Sequence, residues 1–293
     1  MRHRDACLIV NPSAGGGRAR RALPGVQRAL ERVGVRFRVE RTIDLEHAAS
    51  LARSALAADE LTVAMGGDGL VGAVAGALRG TGGVAGIIPA GRGNDFARVL
   101  GLPRDPIAAC EVLVSGVERV VDCGEVDGRP FVGIASVGFD SDANRIANDA
   151  RLVRGKPVYL YAALRALAAW RPARFALSLD GERRELTGYS VAAANSAAYG
   201  GGMYLAPNAA LDDGLLDVVT IGELSRRRFA SQLPKVFNGS HVDHPAIEVF
   251  RAREVRVSAD RPFQMYADGD PIGALPVTVR AVPAALRILV PPS

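Results

Sequence analysis

Lysine is almost absent from this chain: of 36 basic residues only Lys156 and Lys235 are not arginine. Such a bias follows either from GC-rich codon usage or from attraction to anions such as nucleotide phosphates, acidic lipid headgroups or nucleic acid, and charge does not choose among them. Cysteine is as scarce. Cys7, Cys110 and Cys123 are odd in number and share no C-x-x-C spacing, so neither a disulfide framework nor a cysteine zinc site is indicated and a reducing cytoplasm fits best. No apolar run reaches the roughly 18 residues that would read as a membrane span. The N-terminus enters a short apolar strand with no signal-peptide h-region, so neither secretion nor membrane insertion is expected. Aromatics make up only 5%, yet 48% apolar and 23% charged residues are ordinary for a chain that folds.

A chain of 293 residues is long enough for about two domains of roughly 150 residues. Over the first 120 or so residues short apolar runs alternate with helical patterns, which predicts a parallel sheet with covering helices. Strands are expected at 6–10, 35–41, 61–65 and 84–88, and helices at 18–33, 45–58, 71–78 and from 95 to 100. After about Val121 the texture changes to period-two alternation between turns, at 175–179, 190–194, 216–221, 255–258 and 277–279, which predicts antiparallel sheets. Two stretches, 158–170 and 226–237, read as helical. The expected organisation is an α/β domain over 1–121 and a β-rich domain over 122–293.

Three glycine-bearing loops follow strands of the first half. The turn after Val10 holds Asn11, Pro12, Ser13, Ala14 and Gly15; the third strand runs into Gly66, Gly67, Asp68 and Gly69; the fourth leads to Gly91, Arg92, Gly93, Asn94 and Asp95. The run from Gly67 to Gly72 formally matches G-x-G-x-x-G, a dinucleotide fingerprint. The aspartate inside it argues otherwise. A bare carboxylate among phosphates is repelled by about 1 kcal/mol even in water, whereas magnesium carried by ATP turns Asp68 into a ligand or an acceptor for metal-bound water. Helix N-termini behind the loops offer backbone N–H groups to one anion. Neither a P-loop nor a protein-kinase H-R-D set is present.

The segments VNPSAGGG (10–17), MGGDG (65–69), IPAGRGNDFAR (88–98), YLAPNAALDDGLLD (204–217) and YADGD (266–270) together resemble the diacylglycerol-kinase catalytic family of bacterial soluble lipid kinases. The resemblance covers nearly the whole chain. It implies an α/β N-terminal domain like that of NAD kinases and phosphofructokinases, followed by a β-sandwich, with ATP in the cleft between them. It implies a nucleotide site lined by residues 11–15, Thr42, the stretch from Gly66 through Leu70, Val71, Gly72 and Ala73, and residues 91–95. Asp270, closing a Asp268-Gly269-Asp270 run similar to the family's D-G-E, is implied as the general base that deprotonates the lipid hydroxyl, with Asp68 as the second catalytic carboxylate. Asp213, with the backbone carbonyls of Ala210 and Leu215, resembles a structural magnesium loop; read without the family, D-D-G is a turn between strands. ATP and Mg2+ are therefore the expected ligands.

Three positions depart from the family pattern. Asp270 is one methylene shorter than glutamate, a displacement of about 1.5 Å. Leu70 stands where a threonine is common, and Arg92 stands where a small hydroxyl residue is common, its guanidinium offering a bidentate phosphate contact instead. The expected protein is cytoplasmic, touches the membrane surface peripherally to reach a lipid substrate, binds no nucleic acid, and has a homodimer among its expected states. Arg226, Arg227 and Arg228, ahead of Phe229, Leu233, Val236 and Phe237, are one candidate docking surface, and Tyr159, Tyr161 and Trp170 beside Arg151, Arg154 and Lys156 are another. His241 and His244, followed by Pro245, read as a structural loop rather than a metal site. Phosphorylation of a sphingoid base or other long-chain alcohol, an NAD(P)-dependent oxidoreductase, and a non-catalytic lipid-binding regulator are the competing functions.

Overall fold

The computed structural model describes residues 5–139, 141–143, 146, 161, 165–168 and 170–292. The expected helix at 158–170 and the Tyr159, Arg151, Arg154 and Lys156 surface fall largely outside the described residues. The chain divides into two compact units, one made of residues 1–123 and 283–293 and the other of residues 124–282.

The first unit is a parallel α/β layer. Its strands are β1 (Ala6–Val10), β2 (Phe37–Arg41), β3 (Leu61–Gly66) and β4 (Val84–Pro89), joined by helices α1 (Ala14–Arg32), α2 (Leu45–Ala57) and α3 (Asp68–Leu78). The spatial order is β2-β1-β3-β4, all pairs parallel. Strands β1, β3 and β4 are buried along their whole length, as continuous apolar runs with helices on both faces should be. Fully buried side chains such as Leu8, Ile9, Met65, Ile87 and Ile88 fill this core, each contributing about 2 kcal/mol by removal from water. Three short helices follow, α4 (Asp95–Val99), α5 (Pro106–Ala109) and α6 (Val112–Ser115). The last strand, β15 (Val277–Val290), adds parallel to β4 through Arg287 and Ile288, so the C-terminus completes the first sheet.

The second unit is antiparallel. After β5 (Val117–Val126), which runs into it, it contains β6 (Arg129–Phe131), β7 (Ile134–Gly138), β8 (Ala173–Leu179), β9 (Glu182–Ala194), β10 (Leu216–Gly222), β11 (Ile247–Ala252), β12 (Glu254–Ala259), β13 (Gln264–Ala267) and β14 (Asp270–Ala274). The long β9 pairs β8 along its first half and lies between β7 and β10 along its second. Gly188 sits at the change of partner, where an added Cβ would lie 2.2 Å from the Ile221 carbonyl oxygen. One apolar core gathers Phe131, Phe175, Leu216, Val255 and Met265; another gathers Phe139, Trp170, Tyr189, Val219 and Phe229. The predicted 226–237 helix is instead an α-helix, α7 (Arg226–Gln232), continued by a 3-10 turn (Leu233–Phe237). Pro234 explains the switch, because it has no N–H to donate to the preceding turn.

Candidate active site

The register of the first sheet sets the site. Val10 lies opposite both Arg41 and Met65, and Gly66 lies opposite Pro89. The chain therefore leaves β1, β2, β3 and β4 at one common edge, the carboxyl ends of parallel strands, where α/β sheets hold ligands. Asn11 N–H donates to the Met65 carbonyl (3.2 Å), Thr42 N–H to Val10 (2.9 Å) and Ala90 N–H to Gly66 (2.8 Å), which bind each departing loop to its neighbour.

Each loop is shaped locally. Asn11 Oδ1 accepts from the Ser13 N–H (3.1 Å) and hydroxyl (2.7 Å), a self-contained turn that carries the chain over Pro12 to Ala14. Gly15, Gly16 and Gly17 then take φ of 59°, 66° and 83°, left-handed values that glycine adopts at no steric cost. The regular part of α1 thus begins near Arg18, as the sequence predicts. Thr42 is buried, and its hydroxyl donates to the Asp44 carbonyl, while the Asp44 side chain caps α2 by accepting from His47 N–H (2.7 Å). In the third loop Asn94 adopts a left-handed φ of 53°, and its Oδ1 accepts from Gly91 N–H (2.8 Å).

Glycine brings the loops into backbone contact. An added Cβ on Gly15 would lie 2.7 Å from the Ala90 carbonyl oxygen, and one on Gly91 would lie 2.3 Å from Gly67 Cα. No side chain fits either place. Gly91→Ala is expected to push the second and third loops apart, lowering stability by about 1 to 3 kcal/mol as overpacking does. Thermal denaturation checks the outcome, and a variant as stable as wild type would show that the two loops can part without cost.

The helix behind the second loop starts earlier than the sequence predicts, at Asp68 rather than Val71, because Gly67 is extended (φ −103°, ψ −175°) and acts as its N-cap. Asp68 and Gly69 are therefore first-turn residues, whose N–H groups have no carbonyl partner inside the helix. Leu70 and Val71 are buried, and Leu70 lies where a Cβ on Gly66 would collide with it, 2.6 Å from its Cδ2. Of the predicted lining, Leu70 and Val71 thus face the core and offer only backbone, while Gly72 and Ala73 are half-buried further along α3.

Two carboxylates at this edge, Asp68 and Asp95, lie close enough to act on each other. Asp68 Oδ1 accepts from Phe96 N–H (3.1 Å), which links the second loop to α4. Loss of solvent pushes the Asp68 carboxyl up to about 6, the Asp95 carboxylate pushes in the same direction, and backbone N–H groups of Phe96 and Asp95 oppose it. Asp95 is buried with Arg98 Nε at 3.6 Å from its Oδ1. Arg92, in the third loop, is exposed and makes no hydrogen bond or ion pair among the described residues. Asp68 and Asp95 crowd together with Arg98 beside Asp95, and their carboxylate oxygens are the donors here that suit a hard divalent cation.

In the second unit the run Asp268-Gly269-Asp270 turns from β13 into β14, with φ of 52° and 95° at Asp268 and Gly269, the left-handed pair that a two-residue hairpin needs. The two aspartates have separate fates. Asp268 Oδ2 accepts from Val132 N–H (2.8 Å) and Oδ1 from Gly133 N–H (2.8 Å). The same short loop is held from its other side by Asn195, whose Nδ2 donates to the Val132 carbonyl (2.9 Å). Asp270 is exposed, without a hydrogen bond or ion pair among the described residues, and partial loss of solvent at its carboxyl raises its pKa from the ordinary aspartate value. Asp268 is thus the anchor that the sequence did not single out, and Asp270 the carboxylate left available.

The Asp213 loop is occupied differently from its implied role. One Asp213 oxygen accepts from Leu215 N–H (3.0 Å) and the other pairs with Arg251. With Asp213 paired to Arg251, the stretch from Ala210 to Leu215 forms, as arranged, the inter-strand turn that D-D-G predicts by itself. Among the described residues no group of three His, Cys, Asp or Glu side chains comes together to hold a metal. His241 is fully buried, its Nε2 3.1 Å from the Leu205 carbonyl, and burial lowers its pKa, which keeps it neutral. No helix among the described residues is long and apolar enough to cross a membrane.

Residues 5–126 match the model of the diacylglycerol kinase catalytic domain, and residues 133–290 match that of the YegS C-terminal NAD kinase beta sandwich-like domain. The chain is 36% identical over 291 residues to a diacylglycerol kinase of Mycobacterium tuberculosis (strain ATCC 25618 / H37Rv), spanning 97% of this chain and 94% of that one. This chain belongs to the diacylglycerol kinase catalytic-domain family. Other members similar to it are a diacylglycerol kinase of Bacillus subtilis (strain 168), 30% identical over 92% of this chain and 91% of that one, and a probable lipid kinase YegS-like protein of Pseudomonas aeruginosa (strain UCBPP-PA14), 31% identical over 98% and 95%. The crystal structure of a putative diacylglycerol kinase from Bacillus anthracis str. Sterne shares the fold, with a TM-score of 0.83 at 22% identity, covering 100% of this chain and 99% of that one. The family's α/β domain and β-sandwich-like domain are the two architectures described above.

Proposed function

We propose that this protein transfers the γ-phosphoryl group of ATP to the free hydroxyl of diacylglycerol, giving phosphatidic acid and ADP. The observation that carries the reading is the meeting of three glycine loops, backbone against backbone, at the carboxyl edge of the first sheet, with Asp68 and Asp95 among them. Backbone N–H groups of the loops and the first turn of α3 hold the phosphates. The exposed Arg92 neutralises charge on the transferring group and orients it. Asp68 and Asp95 would hold magnesium brought with the nucleotide, and the ion would supply positive charge to offset that of the phosphate oxygens.

Asp270 takes the proton of the acceptor hydroxyl as that oxygen bonds to phosphorus and the bond to the ADP oxygen breaks. Its lack of a competing partner and its raised carboxyl support this role over Asp268, whose two oxygens are both committed. Support for a lipid acceptor comes from the relatives, whose names are diacylglycerol kinase and probable lipid kinase. The acceptor hydroxyl lies at a bilayer surface, which makes this a peripheral cytoplasmic enzyme. Purified protein incubated with labelled ATP, magnesium and mixed micelles of diacylglycerol, monoacylglycerol, ceramide or sphingosine tests the proposal. Label in diacylglycerol is expected; label only in sphingosine or ceramide would move the acceptor, and label in none of the four would refute a lipid kinase.

A further inference from the structure

The segment Arg226–Phe237 has two unlike faces. Phe229 and Gln232 are buried, and Leu233 and Val236 are partly buried, at the three- and four-residue spacing of one helical side. Arg227, Arg228, Pro234, Lys235 and Phe237 are exposed, with Phe237 at 57% the most exposed aromatic ring among the described residues. Arg226 is tied down by donating to the Trp170 carbonyl (3.1 Å). Arg227, Arg228 and Lys235 make no side-chain hydrogen bond or ion pair among the described residues. No acidic residue lies between 226 and 237; Glu223 and Asp243 flank the stretch. The inner face walls a cavity of about 70 Å³ whose lining, apart from Tyr199, Gln232 and His241, is apolar, with Phe139, Leu224, Phe229, Leu233, Val236 and Ile247 among its side chains.

We infer that the outer face of this segment docks on an anionic lipid surface, with Arg227, Arg228 and Lys235 at the headgroups and Phe237 inserted below them. Charge complementarity selects an anionic partner. Three unpaired cations on the same short segment as one exposed aromatic ring match a headgroup layer over hydrocarbon, since each cation gains from the surface potential and the ring from leaving water. A double-stranded nucleic acid, with its bases stacked inside, would satisfy the cations and leave Phe237 in water. The choice of a lipid also rests on the lipid-kinase reading, which needs a docking surface that the nucleotide loops do not supply.

Sedimentation with vesicles of phosphatidylglycerol and phosphatidylcholine in equal parts, and with pure phosphatidylcholine vesicles, tests the surface without ATP. Wild type is expected to partition to the anionic vesicles and to be released by salt. The triple variant R227Q/R228Q/K235Q should partition about a hundredfold more weakly, about fivefold per cation, and Phe237→Ser about tenfold more weakly. A control triple, R28Q/R32Q/R53Q, removes the same charge from α1 and α2 and should keep most of the binding. Equal binding by wild type and R227Q/R228Q/K235Q, equal losses in the two triples, or no wild-type binding to anionic vesicles would each overturn the proposal. Phosphorylation of a short-chain diacylglycerol dissolved as monomer separates the two readings. R227Q/R228Q/K235Q should match wild type there, and a wild-type protein that binds vesicles but labels no lipid would sink the kinase and leave the docking surface standing.

Discussion

Replacing Asp270 by asparagine is expected to lower kcat by about 10² to 10⁴ while leaving ATP affinity within about twofold. The amide keeps the size of the side chain and cannot accept the hydroxyl proton. Because the wild-type carboxyl already makes no hydrogen bond or ion pair among the described residues, its loss as an anion disturbs no visible network, and thermal stability should hardly move. The pH profile gives a second readout. The Asp270 carboxyl is raised from the ordinary aspartate value, so the base is lost as pH falls through that raised pKa, and wild-type kcat should show an acid limb above the titration range of an ordinary aspartate. In Asp270→Asn that limb disappears. Asp270→Glu, which restores the family's longer acid, should keep substantial activity. Wild-type turnover in Asp270→Asn would remove the residue from the mechanism altogether.

Much of the first unit was legible in the sequence because its signals are local. Buried parallel strands write themselves as unbroken apolar runs, and β1, β3 and β4 sit where those runs stand. The loops announced themselves by glycines that have structural work to do, at Gly15, Gly67 and Gly91. What was not legible depends on contacts between distant residues. The start of α3 at Asp68 follows from an extended Gly67, and nothing in G-G-D-G dictates whether its aspartate lies in a loop or in a first helical turn. The return of β15 to pair with β4 joins residues about two hundred positions apart, and alternation at 277–279 marks only its first residues. The Asp213–Arg251 pair spans 38 positions, which is why a carboxylate that resembles a metal ligand turns out to face a guanidinium. Asp268 reads as part of a turn, and only the fold brings Val132 and Gly133 N–H groups to its oxygens.

Asp68→Asn should move stability and activity in opposite directions. The folded carboxyl sits at about 6, above the ordinary value of 3.8, so between these two pH values the folded chain holds more protons than the unfolded one. Stability therefore falls as pH rises through this window, and above pH 6 the native state carries a penalty of about 2 to 3 kcal/mol, from roughly 1.4 kcal/mol per unit. Asparagine carries no such charge. The variant should be more stable than wild type at pH 7 by up to that amount, less the weakening of its bond from Phe96 N–H, and the difference should shrink toward zero near pH 4. A thermal or denaturant series across pH 4 to 8 reads the effect directly. Under the proposed function phosphoryl transfer should fall steeply at every pH, since a neutral amide would not balance a cation brought with the nucleotide. A residue retained at a cost to the apo fold is one whose charge is needed when ligand arrives. A variant that loses stability at pH 7 would show instead that the Phe96 bond dominates and that Asp68 is a strut between the second loop and α4.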